Sequence, residues 1–114
     1  MPKELSFLQK NHNNTKRDYL QRMQNNKVFC MGIAKKYENQ YWDGNRKFGY
    51  GGYKYDGRWL PVAKDFINYY VLPQNAKILD IGCAKGYLLD EFRKVLKKSS
   101  LYGLDISHYA ISNN

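Results

Sequence analysis

A run of small residues follows a carboxylate in the second half of the chain. Asp80 and Ile81 precede the loop GCAKG (82–86), and a second carboxylate, Asp105, lies 23 residues after Gly82. Glycine permits positive φ and close approach of a ligand, so backbone amides of this loop can contact a polar molecule. A carboxylate such as Asp105 can accept both hydroxyls of a ribose, and its offset is near the roughly 20 residues typical of that role. The pattern predicts a site for a ribose-containing ligand.

The hydropathy pattern predicts that a βαβ unit positions these residues. It indicates a buried strand over 77–82, a helix over 87–97 and a second strand over 101–106, with Ser107 capping a further helix. An earlier helix has Pro61 in its first turn and stops before Pro73. Parallel strands joined by a helix place ligands at their carboxyl ends, so the predicted fold class is α/β. The inward residues are Leu60, Ala63, Phe66, Ile67 and Tyr70 in the earlier helix, and Leu88, Leu89, Phe92, Val95 and Leu96 in the later one.

An aromatic and glycine-rich segment, 41–59, precedes this unit. Its five glycines and seven aromatic residues in nineteen positions exclude a continuous helix, since each glycine costs about 1 kcal/mol there. Two interpretations are open. The rings only cover the body of the domain, or they form a lid over a small-molecule site in which Tyr50, Tyr53 and Arg58 contact the substrate.

The first 40 residues form a basic arm rich in Asn and Gln. Residues 1–36 contain eight Lys or Arg and two acidic residues. Asn competes for backbone hydrogen bonds, which indicates a solvated arm or a broken helix. The charge favours either contact with nucleic acid or another polyanion, or a plain solvated flank. A weak apolar stripe consists of Leu20, Met23, Val28 and Met31.

Composition narrows the class of protein. The chain has 114 residues, a formal charge of +9 and 43% hydrophobic residues, which suits one modest domain. No apolar run reaches the roughly 18 residues of a membrane span, and the start lacks the apolar stretch of a signal peptide, so we expect a soluble, cytoplasmic chain. Cys30 and Cys83 are too few for a disulfide framework or a four-ligand metal cluster, so no metal is expected.

ILDIGCAKGYLL followed by LYGLDIS resembles motif I and the acidic second motif of class I S-adenosylmethionine-dependent methyltransferases. The family pattern is an acidic residue, one apolar residue and Gly-x-Gly-x-Gly, in which Ala84 replaces the middle glycine. The resemblance implies S-adenosylmethionine as cofactor and a partial Rossmann-like methyltransferase fold. This would be the first βαβ unit of a seven-stranded sheet, preceded by a helical or irregular N-terminal region. The segment FGYGGYKYDGRW is similar to the entry segment of small bacterial methyltransferases associated with sugar or polysaccharide modification.

The resemblance also implies a role for each site residue. Asp80 would help to hold the amino group of the cofactor, Asp105 would bind the ribose hydroxyls, and Ile106 would lie against the adenine. The loop would pack against the methionine part. Its contacting residues would be Gly82, Cys83, Ala84 and Gly86.

Other glycine-rich folds match less well. When the dinucleotide-binding pattern Gly-x-Gly-x-x-Gly is aligned on Gly82, its second and third glycines fall on Ala84 and Tyr87. The third glycine allows close packing of the helix against the strand, which the side chain of Tyr87 would prevent. Asp80 would repel a pyrophosphate. A P-loop is excluded because no Gly-Lys-Ser/Thr follows.

The resemblance covers about residues 40–114, with two strands where the full fold has seven. We therefore expect an arm over 1–40, an aromatic loop over 41–59, and the start of a methyltransferase domain over 60–114. The chain would be a truncated piece of a longer enzyme, inactive alone, or a degenerate non-catalytic remnant.

No residue is assigned as catalytic. His108 is expected to be an exposed residue in the first turn of a helix. His12 lies in the Asn-rich arm, where the sequence indicates no catalytic partner for it. Cys83 lies in the glycine loop, where a small side chain is needed, so packing explains it better than nucleophilic catalysis. The predicted function is methyl transfer to a small-molecule or sugar acceptor. The alternatives are an RNA methyltransferase steered by the basic arm and a non-catalytic βαβ interaction fragment.

Overall fold

Two parallel strands with helices beside them form the centre of the structure, a computed structural model that describes residues 3, 5–8 and 27–113. The strands pair in register, Lys77 opposite Ser100 and Ile81 opposite Leu104. This confirms the predicted βαβ unit and the α/β class, with the ends of both strands and the connecting helix within two residues of prediction. In chain order the elements are α1 (Lys27–Ala34), α2 (Asn39–Asp43), a 3-10 turn (Arg46–Phe48), α3 (Trp59–Tyr70), β1 (Lys77–Ile81), α4 (Tyr87–Val95), β2 (Ser100–Leu104) and α5 (His108–Ser112).

The hydrophobic core lies between α3, α4 and one face of the sheet. Ala63, Phe92 and Leu96 are buried there as predicted, and Ile78 and Leu101 of the two strands pack against them. Tyr70 departs from the prediction, since it is about half exposed. It lies in the last turn of α3, at the edge of the core.

The opposite face of the sheet is apolar and exposed. Side chains alternate along each strand, so the parallel register puts Leu79 and Ile81 beside Tyr102 and Leu104 on the side away from the core. All four are more than half exposed. Parallel sheets in globular proteins usually have both faces covered.

Helix α3 ends where Pro73 predicts. Val71 adopts a left-handed conformation (φ 51°), and its N–H and that of Leu72 both donate to the carbonyl of Ile67. Pro73 disfavours helical geometry at Leu72, so the chain leaves the helix here.

The N-terminal half differs in part from expectation. The 41–59 segment is not a continuous helix, as predicted, but Tyr41–Asp43 belong to α2, and the 3-10 turn follows. Within the predicted arm, α1 is helical, and Val28 on the predicted apolar stripe is 84% exposed. Phe7 stacks on Phe66 of α3 (centroids 4.2 Å apart), so this part of the arm covers the core edge. Leu20, Met23 and His12 lie outside the described residues.

None of the helices in the described part of the chain is both long and apolar enough to cross a bilayer.

Candidate cofactor site

The loop between β1 and α4 has left-handed backbone geometry at alternate residues. The φ angles of Gly82, Ala84 and Gly86 are 86°, 52° and 80°. A Cβ at Gly82 or Gly86 would meet no described heavy atom within 4 Å, so conformation rather than packing requires glycine there. Ala84 adopts the same geometry with a Cβ, which costs roughly 1–2 kcal/mol. The space beside both glycines lets a ligand approach the main chain.

Asp105 joins this loop to the segment after β2. Its Oδ2 accepts the Ala84 N–H at 2.7 Å, and its Oδ1 accepts the Ser107 N–H at 2.8 Å. Two backbone donors therefore fix the carboxylate at the carboxyl ends of the strands. Each oxygen still has a lone pair to accept a further hydrogen bond, such as one from a ribose hydroxyl.

Asp80 is a half-buried carboxylate near the carboxyl end of β1. Burial raises its pKa, and the charge of Asp105 raises it further. Within the described residues, no donor or cation contacts its side chain. Two neighbouring carboxylates, one of them without a partner there, favour a ligand that brings positive charge.

Cys83 occupies the loop as a packing residue. A Cβ at Gly103 would lie 2.6 Å from Cys83 Sγ, so the thiol fills the space that this glycine leaves on β2. Burial, followed by the charges of Asp80 and Asp105, raises the pKa of the thiol and keeps it protonated near neutral pH. This geometry agrees with the packing role predicted from the sequence.

Helix α2 contacts both site loops through residues that sequence reasoning missed. Lys85 Nζ pairs with Asp43 Oδ1 at 2.8 Å, and Tyr109 donates to Asp43 Oδ2 at 2.6 Å. The Lys85 hydrogen bond, followed by that of Tyr109, lowers the pKa of Asp43. Trp42 Nε1 donates to Ser107 Oγ at 2.9 Å. The partners are 42 to 66 residues apart, so no local spacing could have indicated them.

Tyr41 of α2 also lies at this site. Burial raises its pKa first, then Tyr50 and Tyr37, and the carboxylate of Asp105 adds to the shift. Its ring meets those of Tyr37 and Tyr50 edge to face. The rings of Tyr37, Tyr41 and Tyr50 thus form an aromatic cluster near the Asp105 carboxylate.

The three residues predicted to contact a substrate lie together. Tyr50, Tyr53 and Arg58 line one cavity of about 150 Å³ that reaches the glycine loop. Burial raises the pKa of Tyr53. The other residues of its wall are Trp42, Asp43, Trp59, Ala84, Lys85 and Tyr87.

Two further predicted residues are exposed. Ile106, expected beside an adenine, is 77% exposed after the end of β2. His108 is exposed in the first turn of α5, as predicted. Ser107 caps that helix by accepting the Ala110 N–H at 3.1 Å, which was also predicted.

Comparison with known proteins assigns the family. Searches among curated proteins and solved structures found no match. The model of a protein family described as a methyltransferase domain matches residues 54–114, which is more than half of the chain. The matched range includes the glycine loop, Asp80 and Asp105. The resemblance drawn from 77–107 is thereby confirmed at family level. The chain belongs to the methyltransferase-domain family.

Proposed function

We propose that this chain binds S-adenosylmethionine at the glycine loop and Asp105 and supports methyl transfer to a small-molecule or sugar acceptor. The observation that carries the proposal is the arrangement of Asp80 and Asp105 beside a loop with three left-handed residues. The βαβ unit would correspond to the first unit of a seven-stranded methyltransferase sheet.

The residues present fit this cofactor. S-adenosylmethionine carries an ammonium group, which suits the carboxylate of Asp80, and a ribose whose hydroxyls can donate hydrogen bonds to Asp105. Asp80 would hold the ammonium, Ile106 would lie against the adenine, and the loop from Gly82 to Gly86 would support the methionine part. When bound, the cofactor supplies an electrophilic methyl group to an acceptor aligned with it.

The chain's own residues fix the site before any ligand arrives. The two backbone hydrogen bonds to Asp105 set the direction of its free lone pairs. The Asp43–Lys85 pair and the Trp42–Ser107 hydrogen bond hold α2 against the two loops. A binding site held in this way loses little entropy when it orders around its ligand.

Calorimetric titration with S-adenosylhomocysteine tests the proposal. We expect Asp105→Asn to weaken binding by about tenfold or more, because a hydrogen bond to a charged group contributes roughly 1.5–3 kcal/mol. Asp65→Asn is the matched control, since Asp65 is an exposed carboxylate on α3 outside the site. Circular dichroism of each variant establishes that it remains folded.

Two results would reject this function. Equal affinity of wild type and Asp105→Asn would remove Asp105 from the site. Absence of binding by the folded wild-type chain would favour the alternative of a non-catalytic βαβ interaction fragment. The other alternative, an RNA methyltransferase, depends on residues 1–36, most of which lie outside the described residues, so no structural observation favours it.

A further inference from the structure

The cavity beside the glycine loop has aromatic rings in its wall. They belong to both tryptophans of the chain and to three tyrosines, Trp42, Trp59, Tyr50, Tyr53 and Tyr87. The rings of Trp42 and Tyr50 stack with their centroids 5.5 Å apart. Ala84 belongs to the same wall, and its N–H donates to Asp105. The cavity is therefore adjacent to the candidate cofactor site.

The size of the cavity limits what it can hold. Its volume is about 150 Å³. An apolar cavity of roughly this volume accommodates one benzene molecule. Tyr50 is 45% exposed, so one side of the cavity meets solvent, and small substituents of a ligand can extend there. The cavity thus has room for a single six-membered ring.

Both cations of the wall are held by carboxylates of the chain itself. Arg58 donates from Nε to Asp56 Oδ1 at 3.1 Å and from Nη2 to Asp56 Oδ2 at 3.0 Å. Lys85 Nζ donates to the two carboxylate oxygens of Asp43, at 2.8 and 3.0 Å. A ligand of either charge would have to displace one of these ion pairs or leave its own charge without a partner, and both lower its affinity.

Two N–H donors of the wall are engaged in the same way. The indole Nε1 of Trp42 donates to Ser107 Oγ at 2.9 Å. The backbone N–H of Trp59, at the start of α3, donates to the hydroxyl of Tyr55 at 3.3 Å. Because these donors bond within the fold, the surface that the wall offers to a ligand is mainly apolar.

We propose that this cavity binds the methyl acceptor and that the acceptor presents one uncharged six-membered ring to it. Such a ring can stack on the aromatic side chains and leaves both ion pairs intact. An aromatic ring and a sugar ring share this chemistry. The inference rests on the proposed function in naming the bound molecule an acceptor, whereas the preference for a single uncharged ring rests on the cavity alone.

The two indole N–H signals in a ¹⁵N NMR spectrum report directly on this cavity, because both tryptophans line it. Benzamide, benzoate and benzamidine have nearly the same shape and differ in charge. Each is titrated into the full chain with and without saturating S-adenosylhomocysteine. We expect benzamide to shift both signals saturably and to bind about fivefold tighter, or more, than either charged probe, since a charge without a partner loses part of its hydration. Equal or tighter binding of benzoate or benzamidine would overturn the inference.

Two further probes test the size and the kind of ring. The two-ring amide 2-naphthamide should bind at least about fivefold more weakly than benzamide, because the cavity has room for one ring. Binding of 2-naphthamide as tight as that of benzamide would overturn the size limit and with it the inference. Glucuronamide against glucuronate repeats the charge comparison on a sugar ring, and the tighter of the two amides identifies the kind of ring that the cavity prefers.

A variant tests whether the internal ion pairs cause the preference. Asp56→Asn removes the charge that holds Arg58, so benzoate should bind about threefold tighter or more, with little change for benzamide. Asp65→Asn makes the same change on an exposed residue of α3 outside the cavity and should alter neither affinity. Both substitutions are at exposed positions, so the fold should persist, as the NMR spectrum itself shows. An unchanged preference in Asp56→Asn would contradict the inference.

The outcomes separate this inference from the proposed function. Displacement of benzamide by S-adenosylhomocysteine would assign the cavity to the cofactor and overturn the acceptor role. Calorimetric binding of S-adenosylhomocysteine without an indole shift from any ring probe would reject the inference and leave the proposed function standing. A saturable benzamide shift in a chain that does not bind S-adenosylhomocysteine would reject the function and retain a site for an uncharged ring.

Discussion

At the scale of single residues, the carboxylate of Asp80 lowers the stability of the fold near neutral pH. Its carboxyl is half-buried, and burial together with Asp105 raises its pKa above the usual 3.8. A raised pKa means that the folded state holds this proton at higher pH than the unfolded state. The free energy of unfolding therefore falls as pH rises from the unfolded pKa through the folded one.

Asp80→Asn should remove this fall. We expect the variant to be more stable than wild type at pH 7 and to lose that advantage as the pH falls well below 3.8, where the wild-type carboxyl is protonated in both states. Urea denaturation at a series of pH values measures the difference. The same variant should bind S-adenosylhomocysteine more weakly, because the amide brings no charge to the cofactor's ammonium. A variant less stable than wild type at pH 7 would contradict the account of Asp80.

Ala84 carries backbone strain that the family pattern avoids with glycine. Its φ of 52° costs roughly 1–2 kcal/mol for a residue with a Cβ, and the greater entropy of glycine in the unfolded chain offsets about 0.4–1 kcal/mol of this. Ala84→Gly should therefore stabilise the fold by up to about 1.6 kcal/mol, measured by thermal or urea denaturation.

Val71→Gly is the matched comparison for Ala84→Gly. Val71 has φ 51°, is 82% exposed and lies at the end of α3, away from the glycine loop. The Val71→Gly substitution should stabilise the fold without changing the affinity for S-adenosylhomocysteine. Destabilisation by both glycine variants would show that the left-handed residues are not strained.

The spacing of residue types identified one part of the candidate site, and another part is visible only in the folded chain. Asp80, Asp105 and the loop follow one another at fixed spacing, so a pattern of residue types could reveal them. Asp43, Trp42 and Tyr41 reach the site only through folding of α2 onto it. Such contacts depend on tertiary geometry, which local patterns do not encode.

At the scale of elements, a hydrogen bond to a buried carboxylate connects the aromatic segment 41–59 to α4. Tyr55 stacks on Tyr87 (centroids 4.5 Å apart) and donates a hydrogen bond to Glu91 Oε1 at 2.7 Å. Glu91 is 1% exposed and also accepts from Lys94 at 3.0 Å, and its Oε2 has no partner among the described atoms. Burial and then the bond to Glu91 raise the pKa of Tyr55.

Tyr55→Phe should destabilise the protein by about 1–3 kcal/mol, because it leaves a buried carboxylate with fewer donors. Urea denaturation gives the value. Tyr102→Phe, which removes the hydroxyl of a tyrosine that is 58% exposed, should change stability by less than about 0.5 kcal/mol. Equal effects of the two substitutions would mean that the Tyr55–Glu91 bond contributes nothing.

Element bounds were the most predictable part of the fold. Pro73, Gly82 and Ser107 are local signals for the end of α3, the loop and the cap of α5, and each acts where predicted. The burial of Glu91 could not be predicted from such local signals. Near the start of α4 it suits the helix dipole, yet the hydroxyl of Tyr55, 36 residues earlier, allows it to be buried.

At the scale of the whole molecule, one face of the sheet is exposed in the part of the chain that the structure describes. Leu79, Ile81, Tyr102 and Leu104 form a contiguous apolar area beside the exposed Ile106. Exposed apolar patches of this kind bind hydrophobic molecules.

The chain should therefore enhance the fluorescence of the dye anilinonaphthalene sulfonate while folded. Ile81→Lys should reduce that enhancement at least about twofold by breaking the patch. Lys64→Gln, on the exposed side of α3, should not reduce it. Unchanged dye fluorescence in Ile81→Lys would show that the dye binds elsewhere.

The proposed cofactor site consists of the two carboxylates and the glycine loop. Hydrogen–deuterium exchange of the full chain, with and without saturating S-adenosylhomocysteine, reports where the ligand binds. We predict slower exchange over 80–86 and 104–107 on binding, with residues 62–70 of α3 unchanged. Slower exchange confined to other segments, or none under saturating ligand, would contradict it.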